Sequence, residues 1–296
     1  MTILSSLAEQ LINGLRTGSI YALIALGYTM VYGIAKMINF AHGDIIMVGA
    51  YLLYVFGVGG LGLPVPVVIL TAVVLCALLG VVTERIAYKP LRSAPPLAVL
   101  ITAIGMSYFL QNFVLITMGA TPIPFASMIK LPPLHLGSVT VSGITIITLI
   151  VTFICMTALI LFINRTKTGA AMRAVSEDRG AAELMGINVN QTISLTFAIG
   201  SALAAVAGLL FISQYESLQP TLGALPGIKA FVAAVLGGIG SIPGAIVGGL
   251  ILGIIESLTK AYLSTQLSDA ISFAVLVLVL LIRPVGIMGK LTNEKV

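Results

Sequence analysis

Apolar residues fall along this chain in long blocks separated by short polar stretches, and the blocks predict helices that cross a membrane. The run from Ile144 to Ile163 carries no charge, and roughly 20 such residues suffice to cross a hydrocarbon core about 30 Å thick. The pattern places a first span at about Leu7 to Ile34 and, after the polar stretch Lys36 to Asp44, a second at Ile45 to Val58. A third runs from Val65 to Val82, a fourth from Leu97 to Met118, a fifth from Ile144 to Ile163 and a sixth from Thr192 to Ser213. No stretch shows the strict apolar/polar alternation of a barrel strand. The predicted class is all-α, a polytopic transmembrane bundle of about eight spans.

The region from Gly227 to Leu258 breaks this regularity with Gly237-Gly238, Gly240, Pro243-Gly244 and Gly248-Gly249. If Ile271 to Ile282 is a final span ending at cytoplasmic Arg283 and Lys290, this region crosses an even number of times. Each half is then short, roughly 14 residues or about 21 Å. The expectation is a broken or re-entrant segment near 227–258, rather than one long glycine-rich span. Glycine-interrupted segments also occur from Gly14 to Gly49, so a weak internal repeat is possible, and paired broken helices often mark a translocation site.

Composition agrees with the pattern. Hydrophobic residues make up 58% and charged residues 8%, with a mean hydropathy of +1.13, against roughly 25% charged in soluble chains. The net charge of +5 needs no nucleic-acid partner, because Lys and Arg gather in short loops. Arg85, Lys89 and Arg92 put loop 85–95 in the cytoplasm, and Arg165, Lys167, Arg173 and Arg179 do the same for loop 164–190; loops 119–143 and 214–226 fall outside. Cys76 and Cys155 sit in apolar runs and read as small hydrophobes. The N-terminus has no basic region of a cleavable signal, so the first span serves for insertion.

Two polar clusters stand out. Ser176 to Gly186 reads as a short cytoplasmic helix: Ser176 caps its start, Glu177 and Asp178 meet its positive end, and Gly186 terminates it. Asp178, Ala181, Ala182 and Met185 share a face, which suits either docking of another protein or contact with headgroups. Asn39, His42 and Asp44 lie between two spans, where polar groups either serve a path or stay at the wet interface, with Asn39 as a helix cap. Gln111 and Asn112 within the fourth span either line a path or bond to neighbouring helices. Tyr51, Tyr54, Tyr88 and Tyr262 fit an aromatic belt. His42 and His135 form no metal motif, and no phosphate-binding loop occurs. No span carries the acidic series of a proton or sodium relay, so active transport would draw energy from a partner.

Gly18 to Gly33, followed by Met37-Ile38-Asn39-Phe40-Ala41-His42-Gly43, strongly resembles the permease subunit of branched-chain amino-acid ABC importers. The resemblance continues through Ala103 to Ser107, Phe109 to Asn112, Arg173-Ala174, Glu177-Asp178, Gly186-Ile187-Asn188 and Lys229 to Ala245. It implies a single permease domain over 1–296 in a bacterial inner membrane, paired with a second related permease, two cytoplasmic ATPase subunits and an external binding protein. It implies no cofactor in this chain, with ATP and Mg²⁺ bound by the partners. Loop 164–190 then becomes the coupling loop, with Arg173, Ser176, Glu177, Asp178, Ala181, Ala182, Leu184 and Gly186 at its contact, and Asn39, His42, Asp44, Gln111 and Asn112 are the path candidates. Relatives carry aspartate or glutamate at the position of Asp44. The competing expectations are a urea or short-amide permease and, from another class, a stand-alone channel or secondary transporter.

Overall fold

Glycine and small residues, rather than large apolar side chains, bring the central helices of this chain together. In the computed structural model, residues 3–136 and 139–289 are described; Lys290 lies outside them. Helix α1 (Ile3–Ala35) runs antiparallel to α10 (Ile242–Tyr262). A Cβ at Gly18 would lie 2.8 Å from the Gly249 carbonyl oxygen, and one at Gly249 would lie 2.6 Å from the Ala22 Cα. Lipid tails are as apolar as leucine, so helices in a bilayer associate through such close backbone approach.

The remaining helices are α2 (His42–Leu53), α3 (Val65–Thr83), α4 (Pro96–Met118), α5 (Gly143–Arg165), α6 (Lys167–Glu177), α7 (Arg179–Leu184), α8 (Val189–Tyr215), α9 (Ala224–Gly237) and α11 (Leu267–Ile282). Their starts follow local chemistry. Thr166, Asn188 and Ser241 each accept a hydrogen bond from a first-turn amide of α6, α8 and α10, while prolines open α3, α4 and α10. Helix α2 continues through a π-turn at Tyr54–Val58, and α3 through one at Glu84–Tyr88. Six of these helices are long and apolar enough to cross a membrane, and α2, α9 and α11 are shorter apolar helices.

Cross-contacts sort the helix ends into two groups, and the Lys/Arg count assigns a side to each. The Glu9 carboxylate accepts from the Thr140 amide, and Arg16 Nη1 bonds Thr145 Oγ1, so the start of α1 lies with the 119–143 loop, outside. At its other end the Ala35 carbonyl accepts from Arg179 of the basic loop, which places that end in the cytoplasm. Strand β1 (Ile123–Pro124) pairs antiparallel with β4 (Ser217–Leu218) and joins the two predicted outer loops. Strands β2 (Leu134–Leu136) and β3 (Val139–Val141) form a second small hairpin beside α1.

The chain is built as two inverted halves. In the first, the long helix α1 ends at the cytoplasm, residues 36–41 turn back inward without helical structure, and short α2 runs on toward the outside. In the second, long α8 ends outside, residues 216–223 turn back inward, and short α9 runs toward the cytoplasm. Both returns start at a non-glycine residue with positive φ: Lys36 at 53° and Glu216 at 49°. Helix α10 packs on α1 as α3 packs on α8, and α1 crosses α8 where Gly27 meets Gly200.

Three expectations change. The broken segment near 227–258 is a helical hairpin, since a Cβ at Gly244 would meet the Gly237 backbone while Lys229 reaches Glu256 further along. Its halves are unequal: α9 has 14 residues, but α10 has 21 and crosses fully. The stretch 214–226 does not stay outside, because Gly223 and Gly227 pack against Gly43 inside the bundle. The internal repeat is present, but its broken segments are 36–41 and 216–223; of the late glycines, Gly249 and Gly253 serve the α1–α10 contact and Gly237, Gly244 and Gly248 the α9–α10 hairpin.

Candidate functional site

The two short helices begin inside the bundle, with their N-terminal ends together. A Cβ at Gly43 would lie 2.7 Å from the Gly223 carbonyl oxygen, and one at Gly227 would lie 2.8 Å from the Gly43 Cα. His42 packs on Gly27, eight residues before the cytoplasmic end of α1, which is about 12 Å in from that end. Beside this junction is a cavity of about 450 Å³, lined by Tyr28, Phe40, Asp44, Ser107, Tyr108, Gln111 and the first turn of α9, with Leu100, Ile104 and Ile228 as the aliphatic part of the same lining. Asp44 is 2% exposed and accepts a hydrogen bond from Gln111 Nε2 at 2.8 Å. A carboxylate and two positive helix ends at membrane depth, beside an aliphatic wall, can hold a small solute with both an ammonium and a carboxylate group.

The sequence-predicted path residues divide. Asp44 and Gln111 meet at the cavity. Asn112 does not: its side chain returns to the Tyr108 carbonyl at 2.8 Å and is exposed on the outer face of α4, because adjacent helical residues point about 100° apart. Asn39 and His42 are buried at 2% and 1% exposure, not at a wet interface. Asn39 caps no helix: the N-cap of α2 is Ala41, and Asn39 Oδ1 accepts from Tyr88 Oη at 2.7 Å. His42 stacks edge-on against Tyr28, with ring centroids 4.8 Å apart, and supports the cavity wall from behind. Tyr88 and Tyr51 are likewise buried and belong to no aromatic belt.

On the cytoplasmic face, the predicted single helix from Ser176 is two helices. Ser176 lies in the last turn of α6, where its hydroxyl donates to the Arg173 carbonyl at 2.6 Å. The cap of α7 is Asp178, whose extended backbone lets Oδ1 accept from the Ala181 amide at 3.0 Å. Gly186, with φ +81°, ends α7; its amide bonds Glu183 and that of Ile187 bonds Ala182, a pair of bonds that requires a left-handed residue. Ala182 is buried against its own chain and so belongs to no outer contact, while exposed Arg173 also braces the Ile163 carbonyl. Leu184 at 90% exposure and Met185 at 82% project outward instead, flanked by exposed Glu177, Ala181 and Glu183. Arg179 points the other way, toward α1, and partial burial followed by the nearby Arg92 charge lowers its pKa from the ordinary arginine value.

Residues 10–280 match the family described as "Branched-chain amino acid transport system / permease component". The chain belongs to that family. It is 46% identical to the high-affinity branched-chain amino acid transport system permease protein BraD of Pseudomonas aeruginosa, across 97% of each chain. It is 47% identical to LivH of Escherichia coli, again across 97% of each. A probable LivH of Methanocaldococcus jannaschii is 31% identical over 82% of this chain and 78% of that one. The protein is thus an integral membrane transport component, and its apolar helices and inverted halves are those of a permease.

One buried feature of this permease escaped the sequence. Lys229 of α9 lies between Glu256 of α10 at 2.9 Å and Asp269 of α11 at 2.6 Å, while Lys260 meets Glu256 at 2.5 Å. Tyr21 of α1 donates to the other Glu256 oxygen at 2.7 Å. Two cations and two carboxylates sum to zero charge, so the group is tolerable at membrane depth. A lone lysine and a lone glutamate in apolar helices were the available signal, but their spacing of 27 residues does not reveal a pair until the hairpin folds.

Proposed function

We propose that this chain is the membrane-spanning permease of an ATP-driven importer in a bacterial inner membrane, carrying leucine, isoleucine or valine through the cavity at Asp44. One observation supports this above others: Asp44 and the N-terminal ends of two half-helices face one small cavity with an aliphatic wall. The carboxylate suits the ammonium of an amino acid, the helix ends suit its carboxylate, and Leu100, Ile104 and Ile228 suit a branched side chain. Contacts this few also suit transport, since tight binding would slow release.

The cavity opens sideways along α4, where Ile104 and Tyr108 are exposed. A polar cavity facing lipid is costly, which favours a second related permease against this face, so that the path is completed between two chains. Leu184 and Met185, large apolar residues on a basic cytoplasmic loop, are the proposed anchors for an ATPase subunit that binds ATP and Mg²⁺. An external binding protein delivers the solute to the outer face. The urea reading is less favoured, because the N–H groups of a neutral amide can donate to Asp44 but leave its charge unbalanced and offer no anion to the two helix ends.

Co-expression with the neighbouring transport genes, purification, and reconstitution in liposomes test the proposal. Binding protein loaded with leucine is expected to stimulate ATP hydrolysis and leucine uptake together. Leucine flux by the purified permease alone, without ATPase, would overturn the importer reading; stimulation by urea but not leucine would overturn the substrate.

A further inference from the structure

A second cavity, of about 620 Å³, lies on the cytoplasmic side of the first, lined by Lys36, Met37, Ile38, Arg92 and Arg179 among others. Leu100 lines both. The segment between them is the non-helical stretch 36–41: Lys36 to Ile38 face the lower cavity and Phe40 faces the upper. Phe40 is held there by Phe231 of α9, with centroids 5.5 Å apart, and Phe231 in turn meets Tyr28 at 5.7 Å. Ile38, Phe40 and Leu100 therefore form an apolar stretch where the central cavity adjoins the cytoplasmic one, and an apolar constriction of this kind hinders a zwitterion by denying it water and partners.

A hydrogen bond ties the loop that carries α7 to the root of this stretch. Arg179, in the first turn of α7, donates to the carbonyl of Ala35, the last residue of α1. The next residue is Lys36, whose φ of 53° turns the chain back into the bundle. Movement of α7 therefore acts on the root of the segment that carries Phe40. Carbonyls at a helix end lack partners within the helix, and a guanidinium is well suited to hold one.

We propose that Arg179 is the positioning residue that transmits motion of the docked α7 to an inner gate at Phe40. The proposal rests on the importer reading above. Replacing Arg179 by Gln removes the cation and its reach but leaves Leu184 and Met185 in place. The expected result is a complex that assembles and whose ATPase still responds to leucine-loaded binding protein, while leucine uptake per ATP falls about tenfold, the loss of one charge-assisted hydrogen bond. R179K should recover part of that uptake. F40A, by opening the constriction, should allow leucine leak from liposomes without ATP and restore flux in the R179Q background. Normal uptake per ATP in R179Q overturns the proposal. Loss of ATPase stimulation and uptake together in an assembled R179Q complex also overturns it, since Arg179 would then act in docking. A wild-type complex with no leucine-stimulated ATPase is a different failure, that of the importer reading itself.

Discussion

Asp44 shows at the scale of one residue how a side chain's meaning depends on depth. In the sequence it borders a polar stretch; in the fold it is buried beside the first turn of α9 and holds Gln111. Asp44→Asn keeps its shape and the Gln111 bond but removes the charge that an ammonium group would meet. Loss of a hydrogen bond to a charged group costs about 1.5–3 kcal/mol, so leucine uptake in liposomes should fall roughly ten- to hundredfold, with Asp44→Glu less affected. Uptake unchanged in Asp44→Asn would remove this residue from the path. Lys229 makes a second case. Lys229→Met leaves Asp269 without it and Glu256 with only Lys260 and Tyr21, so the cost falls toward or below the lower end of the roughly 3–5 kcal/mol for breaking a buried pair. The single variant should melt below wild type in detergent, and the double variant Lys229→Met with Glu256→Gln should regain most of the loss. A double variant no better than the single would show that the pair's packing, not its charge balance, holds α9 to α10.

Among the elements, the α1–α10 pair depends on closeness, and its tolerance can be measured. Gly18→Leu inserts a side chain where even a Cβ meets the α10 backbone. Overpacking costs about 1–3 kcal/mol or more, so the variant should lose thermal stability, while Gly105→Ala on α4, where a Cβ meets nothing within 4 Å, should not. The short helix α7 makes the opposite kind of prediction, since its outer residues support nothing within the chain. Leu184→Asp should leave the permease as stable as wild type but reduce co-purification of the ATPase. Full recovery of ATPase with that variant would move the docking surface elsewhere. The division of the 164–190 loop into α6 and α7 was hard to read in advance because Ser176 and Asp178 are both good caps. Backbone geometry decided between them: Asp178 is extended, and Ser176 is already inside a helix capped at Thr166.

For the whole molecule, the inverted halves organise everything else. They bring two half-helix ends to one depth, where each is roughly half a membrane from its own side, and they leave one cavity on each side of Phe40. The sequence by itself determined the membrane class, five of the six long spans and the family, because hydrophobic length and local motifs are properties of short stretches; α10 was read only as half of a broken segment. It also marked Asp44, Gln111, Leu184 and Gly186 as candidates. Only the tertiary structure decided that residues 36–41 and 216–223 return inward, that Asn112 and Ala182 stand apart from the sites assigned to them, and that Lys229 is paired. The physical reason is range. A turn such as those at Lys36 and Glu216 costs a non-glycine residue about 1–2 kcal/mol and has no compositional signature, yet it moves Asn39, His42 and Asp44 by about half a bilayer. Pairings such as Lys229 with Glu256, or Arg179 with Ala35, join residues far apart along the chain, and helix packing alone brings them together.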